Sequence, residues 1–269
     1  STESDKGQAQ LELSALAKGW LGPGQTRSLG EYRPALVGKG GEWNKVAAYS
    51  GGTRVEKCCH YCDLMNRIAG APPGRVYATG GRAVNFTEFK YEGKPSDIDD
   101  HALVIVDYQN GVKAQFILNM FSEELFESLA VSGAKGTLFA EEHASFKPNR
   151  PSRSSIKVQA KGHAAYEGFD CTYPEDIELG GHYGSTLFEH QRFRDQIIGL
   201  KNDGANCAEG LWAIITAWMA QVSIEQGQVI DVQAMLASKS LHPYQAGLLP
   251  QDWTAPITDD WETSERGLA

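Results

Sequence analysis

Residues 51–65 read GGTRVEKCCHYCDLM and hold the densest chemistry in the chain. After the glycine pair, the run is predicted to form one helix that reaches Ile68 and stops at Gly70, with Pro72 and Pro73 beyond. At ~3.6 residues per turn, Glu56, His60 and Asp63 fall at i, i+4 and i+7 on one stripe. A carboxylate one turn from an imidazole can fix its tautomer and raise its basicity. The stretch therefore has the make-up of half a proton-transfer site. Its plainer reading is a buried helix pair held by a hydrogen bond.

Outward from this helix, the pattern changes to strands. Gln25–Arg33 reads as a short strand ahead of it. Behind it, Arg75–Phe89 alternates loosely and HALVIVDY, residues 101–108, is strand-like. Asn110-Gly111 is a type I′ hairpin signal into Val112–Phe121. Leu125–Ser132, Gly136–Glu141 and Ser155–Ala160 add further strands, and residues 162–183 have no regular pattern. Helical patterns return at Gly184–Ile198 and at Cys207–Glu225, the second capped by Asn206 and closed by Gly227. The predicted fold is α+β: an open, mostly antiparallel sheet of about six strands with helices packed on one face. Residues 1–241 are expected to form this domain, and residues 242–269 an extended acidic arm bearing Trp253 and Trp261. A short amphipathic helix is expected over residues 8–18.

The net charge of −9 argues against nucleic acid, since phosphate binding needs a basic face. No run of ~18 apolar residues occurs, so no membrane span is expected. The N-terminal STESDKGQAQLEL has no apolar signal core and no initiator Met, as in a processed form. Three of the five cysteines sit within five positions, unlike a secreted disulfide framework. The expected compartment is cytoplasmic or another reducing one, an organelle after leader removal included.

Several residues carry two readings. Cys58, Cys59, His60 and Cys62 suggest zinc, but no second ligand pair with matching spacing follows, so packed thiols and no metal are expected. Lys57 is either a group that reaches substrate or a lysine at the sheet rim. Trp43 and Asn44 combine an aromatic face with an amide, which suits a sugar ring, or form a packed loop. His182 and Tyr183 lie in an irregular loop where cleft residues are common. Asp97, Asp99, Asp100 and His101 lack calcium-loop spacing and are expected to be a solvated loop. The glycines at 38, 40 and 41 match neither G-x-G-x-x-G nor G-x-x-x-x-G-K-[ST], so a plain loop is expected there.

GGTRVEKCCHYCDLM, with GEWN ahead of it, resembles the second domain of the Gfo/Idh/MocA oxidoreductases, the glucose–fructose oxidoreductase and inositol dehydrogenase relatives. Gly51, Gly52, Glu56, His60 and Asp63 match that family's pattern position by position. DHALVIVDYQNGVKAQF, VSGAKGTL, HYGSTLFEHQRF and EGLWAIITAWMAQVSIEQGQVIDV follow in the family's order, so that the resemblance runs from about residue 15 to 232. It implies a substrate-binding and dimerisation domain of an NAD- or NADP-dependent sugar or polyol dehydrogenase. His60 would contact the reacting oxygen and Glu56 would orient His60. Lys57, Asp63, Trp43, Asn44, His182 and Tyr183 would face a sugar-like ligand. The far face of the sheet would serve self-association or a larger complex.

The family's N-terminal Rossmann domain and its E-K-P lysine have no counterpart here: Lys94-Pro95 and Lys147-Pro148 both follow the histidine helix. No cofactor site is therefore expected in this chain, which by itself should be inactive. A separate Rossmann-domain chain would have to complete the enzyme. The alternative is a non-catalytic structural or assembly subunit derived from the same family.

Overall fold

The computed structural model describes residues 27–32, 42–122, 125–144, 153–171, 185–200 and 204–240. Strands β1 (Arg27–Tyr32), β2 (Pro73–Gly81), β5 (His101–Tyr108), β6 (Lys113–Asn119), β7 (Leu125–Gly133), β8 (Gly136–Ala144), β9 (Arg153–Ala160), β10 (Glu167–Asp170) and β11 (Ile230–Asp231) form one open sheet. Its order is β10-β9-β8-β7-β1-β6-β5-β2-β11. Every pairing is antiparallel except β1 with β6. A two-stranded ribbon, β3 (Lys90–Tyr91) with β4 (Lys94–Pro95), stands apart.

The helices are α1 (Ala47–Ser50), α2 (Thr53–Glu56), α3 (Cys59–Ala69), α4 (Ser185–Ile197), α5 (Cys207–Gln226) and α6 (Val232–Ser238), with a 3-10 turn at Glu42–Lys45. The sheet is larger than the six strands expected from sequence. The two-residue β11 and the four-residue β10 are too short to show a period-2 pattern.

Alternation along the central strands builds the core. Val76 and Ala78 of β2, Ala102, Val104 and Val106 of β5, and Ala114, Phe116 and Leu118 of β6 are buried on one face. Cys62, Met65, Ile68 and Ala69 of α3 and Trp212, Ala213, Ile215 and Met219 of α5 join the same cluster. Polar ties fix the depth of these helices. Tyr108 Oη donates to Asn66 Oδ1 (2.9 Å), Asn66 Nδ2 donates to Thr216 Oγ1 (3.0 Å), and Thr216 Oγ1 donates to the Trp212 carbonyl (2.8 Å). Ser223 Oγ accepts from the Ala78 amide (2.8 Å) and donates to the Gln228 carbonyl (2.6 Å), joining the end of α5 to β2.

Helix α5 is long and apolar enough to cross a membrane by length and composition. More than half of that stretch is buried against α3 and β2, however, and Asn206 and Glu209 close a capping box at its start. It is the core helix of this fold.

The opposite face of the sheet carries no helix among the described residues. Leu103, Ile105, Tyr77 and Phe139 stand exposed there, and the register sets Tyr77 beside Ile105 and Leu103 beside Ile117. On α4, Leu187, Phe193 and Ile197 are exposed.

Two further expectations change. The Asn110-Gly111 turn is not type I′, since Gly111 (φ 85°) has a positive φ and Asn110 does not. The Gly111 amide donates to the Tyr108 carbonyl (2.9 Å), giving a three-residue loop that ends in a glycine bulge. The segment 97–101 is not a solvated loop. Buried Asp100 accepts from the amides of Ala83 (3.0 Å), Val84 (2.7 Å) and Asn85 (2.7 Å) and from His101 Nδ1 (2.9 Å). Asp97 Oδ1 accepts from the Ala47 amide (2.6 Å), and Asp99 pairs with Arg54. An acidic run reads as solvated until the backbone donors that face it are known.

Candidate functional site

The run 51–68 is not one helix. Gly51 (φ 78°) caps α1, and a Cβ there would meet Val55 Cγ1 at 2.9 Å. Gly52 (φ 87°) then starts α2, so the glycine pair makes the corner from which the site is launched. Thr53 Oγ1 donates to the Asp99 carbonyl (2.6 Å), and buried Arg54 donates to Asp99 Oδ2 and Gln221 Oε1. These ties fix α2 against the rim of the sheet and against α5. The helix stops at Glu56, turns at Lys57 and Cys58, and restarts at Cys59. The stripe inferred from an unbroken 3.6-residue period is therefore interrupted between Glu56 and His60.

That break redistributes the partners. Glu56 Oε1 pairs with Lys57 Nζ at 3.0 Å, both half-buried. No hydrogen bond joins Glu56 to His60 among the described residues. His60 is exposed on the first turn of α3. Asp63 lies one turn further on. Burial pushes its carboxyl above the usual carboxylate value, Glu209 adds to the rise, and Arg67 and His60 oppose it. Arg67 reaches Glu209 at 3.9 Å, which links this acid group to the cap of α5.

Two of the three clustered thiols are packed and Cys59 is half-buried. Cys58 and Cys62 are buried, and burial first, then Cys59 and Asp63, pushes Cys62 up to about 12. Burial also raises Cys59. All five cysteines are free. No three His, Cys, Asp or Glu side chains converge among the described residues.

Trp43 and Asn44 lie on the 3-10 turn ahead of α1, Trp43 exposed and Asn44 half-buried. Trp43 lines an open pocket of about 320 Å³ together with Tyr49, Tyr91 and Glu92, and none of Glu56, Lys57, His60 or Asp63 takes part. His182 and Tyr183 lie outside the described residues.

Sequence reasoning missed Tyr49, Tyr91 and Glu92, because positions 49 and 91 meet only through the fold. It also missed Tyr61, which stacks on Phe116 (centroids 5.2 Å, planes 19° apart) and donates its hydroxyl proton to Glu127.

A dinucleotide needs a glycine-rich strand-to-helix turn within a parallel β-α-β unit. The described residues contain no such unit: β1 and β6 form the one parallel pair, and the segment between them includes α3, β2 and β5. The described residues therefore do not fit NAD or NADP.

The sequence profile "Oxidoreductase family, C-terminal alpha/beta domain" (GFO_IDH_MocA_C) matches residues 25–232. No curated protein matches the chain in sequence. Among solved structures, a probable dehydrogenase from Thermotoga maritima is 18% identical, with a TM-score of 0.59, over 85% of this chain and 62% of its own length. An oxidoreductase domain protein from Kribbella flavida is 15% identical, with a TM-score of 0.62, over 81% and 63%. The WlbA dehydrogenase from Bordetella pertussis, in complex with NADH and UDP-GlcNAcA, is 17% identical, with a TM-score of 0.56, over 83% and 59%. At such identities the likeness is one of fold, and the chain matches about three fifths of each of these structures. With the corner glycines, the histidine helix and the one-sided sheet in place, the profile match over most of the chain settles its kinship: it belongs to the Gfo/Idh/MocA oxidoreductase family and contains that family's C-terminal alpha/beta domain.

Proposed function

We propose that this domain is the substrate wall of an NAD- or NADP-dependent sugar or polyol oxidoreductase. The observation that carries the reading is the exposed imidazole of His60, flanked by the Glu56–Lys57 pair and by Asp63 with its raised carboxyl. An exposed imidazole beside a partly buried acid can hold a proton at a hydroxyl or carbonyl oxygen. Lys57 and Glu56 offer a donor and an acceptor to neighbouring hydroxyls. Relatives solved with NADH and UDP-GlcNAcA, and with NAD+ and L-tartaric acid, support a hydroxyl-rich substrate. The dinucleotide must be held by residues other than those described.

The test is reduction of NAD+ and NADP+ with a panel of sugars and polyols. The chain is assayed alone and with a nucleotide-binding domain of the family supplied as a separate polypeptide. Turnover is expected in the mixture, with kcat falling about 100-fold in His60→Ala as for the loss of an acid–base group. Turnover unchanged in His60→Ala would sink the assignment.

A second reading, a non-catalytic assembly subunit, draws on the uncovered sheet face with Leu103, Ile105, Tyr77 and Phe139. Under it, the chain occurs as a fixed-stoichiometry member of a larger particle and shows no turnover in any mixture. Native mass spectrometry distinguishes this from self-association through the same face.

A further inference from the structure

The pocket lined by Trp43, Tyr49, Tyr91 and Glu92 is built rather than incidental. Three separate ties set its walls. Lys45, nearly buried, places its ammonium 4.5 Å from the Phe89 ring centroid and 5.7 Å from that of Phe86, which clamps the 3-10 turn bearing Trp43 to the loop 82–100. Asp97 Oδ1 accepts the Ala47 amide at 2.6 Å, which holds the start of α1 to the same loop. Lys94 Nζ donates to Tyr49 Oη at 2.8 Å, which joins α1 to the β3–β4 ribbon. The ribbon's two-residue turn has Glu92 (φ 49°) and Gly93 (φ 79°) both at positive φ, and it presents the Glu92 carboxylate at the pocket rim. Tyr49 and Tyr91 meet nearly at right angles, with centroids 6.1 Å apart and planes at 81°.

The chemistry of the walls selects the ligand. Aromatic faces with a carboxylate suit either an organic cation or a sugar ring. Lys94 already holds an ammonium 4.5 Å from the Tyr49 ring centroid, so a second cation would meet like charge. A neutral pyranose meets no such repulsion. It can lay its C–H face on the exposed Trp43 indole, while Glu92 accepts from one of its hydroxyls. The open pocket, of about 320 Å³, has room for one ring. The helix residues that would hold the reacting sugar do not line it.

We propose that this pocket is a second saccharide subsite, taking a non-reacting pyranose ring stacked on Trp43, so that the substrate is a glycoside or oligosaccharide rather than a free monosaccharide. The proposal rests on the sugar reading of the His60 wall for its ligand class.

The experiment is saturation-transfer NMR titration of the chain with cellobiose, maltose and methyl β-D-glucopyranoside, with tetramethylammonium as the cationic comparison. At least one disaccharide is expected to bind saturably. Trp43→Ala should weaken that binding at least about tenfold, a loss typical of removing an anchoring aromatic. Glu92→Gln, on an exposed turn, should weaken it a few-fold, and His60→Ala should leave the Trp43-dependent part in place. Thermal unfolding checks that each variant is folded. Disaccharide binding that survives Trp43→Ala but is lost in His60→Ala overturns the subsite and leaves the helix-wall reading standing. Binding of tetramethylammonium in preference to the sugars, or no saturable sugar binding at all, overturns the proposal.

Discussion

Strand β5 carries two histories in one sequence. Val104 and Val106 are 3% and 0% exposed under the helices, whereas Leu103 and Ile105 on the other face are 53% and 52% exposed. All four are aliphatic, so hydropathy alone does not separate the faces. What separates them is that α3 and α5 pack on one side, whereas no helix among the described residues packs on the other. Large exposed apolar patches mark interaction sites, ligand grooves or aggregation liabilities, so the exposed side is where an interface is to be tested. The covered face specifies the fold.

The largest expected effect breaks or sustains that contrast directly. Val106→Asp buries an unpaired carboxylate and should cost about 4 kcal/mol or more, read by urea unfolding. Ile105→Asp, one position along, should stay within about 0.5 kcal/mol of the parent for the isolated chain. If the bare face is an interface, Ile105→Asp will also lower the sedimentation-equilibrium mass to that of one chain. Equal destabilisation by both substitutions would mean that the second face is covered after all.

On the covered side, the polar ties between layers matter next. Asn66→Leu leaves Thr216 Oγ1 and Tyr108 Oη without the partner they share, and should cost about 2–3 kcal/mol. Asp100→Asn at the rim should cost a similar or somewhat smaller amount at neutral pH, because the amide offers one acceptor oxygen where the carboxylate offered two to three backbone amides. A folded Asn66→Leu variant as stable as the parent would show that packing alone sets the depth of α3.

How much of this the sequence reveals depends on the range of the interaction. The period-2 pattern of β5 and β6, the Asn206 cap and the Gly227 stop of α5 are local, and they are legible in the chain. The kinship is legible too, because Gly51, Gly52, His60 and Asp63 fall in order along one short run. The break at Lys57–Cys58 is not, since helical spacing carries no mark of a turn that keeps ordinary dihedral angles. Nor is the exchange of partners that follows, in which Lys57 takes Glu56. The carboxylates at 97, 99 and 100 looked solvated because their donors, at residues 47, 54 and 83–85, come from two other segments. The pocket joins residues 43, 49, 91 and 92 across the same gap, and a sequence window never spans it.

The smallest effect tests the site side of the covered layer through two acids of opposite sign. Burial raises Asp100, but the amides of Asn85, Val84 and Ala83 and the His101 side chain outweigh it and hold its pKa below the ordinary 3.8. Its contribution to stability is therefore complete above that value and is lost as pH falls through the lowered folded pKa. Asp63 goes the other way. Burial and Glu209 raise it, so its contribution is complete below the ordinary 3.8 and is lost as pH rises through the raised folded pKa. Asp63→Asn cannot lose a proton, so it should flatten the decline in unfolding free energy that sets in as pH rises above the ordinary 3.8 and leave more acid conditions nearly unchanged. Asp100→Asn should instead remove a decline on the acid side of pH 4. His60→Ala sharpens the test: deleting the side chain that opposes the rise should push Asp63 higher still and shift its part of the curve to higher pH. If His60→Ala leaves the curve where it was, then Asp63 does not act on His60, and the exposed imidazole works without the acid assigned to it.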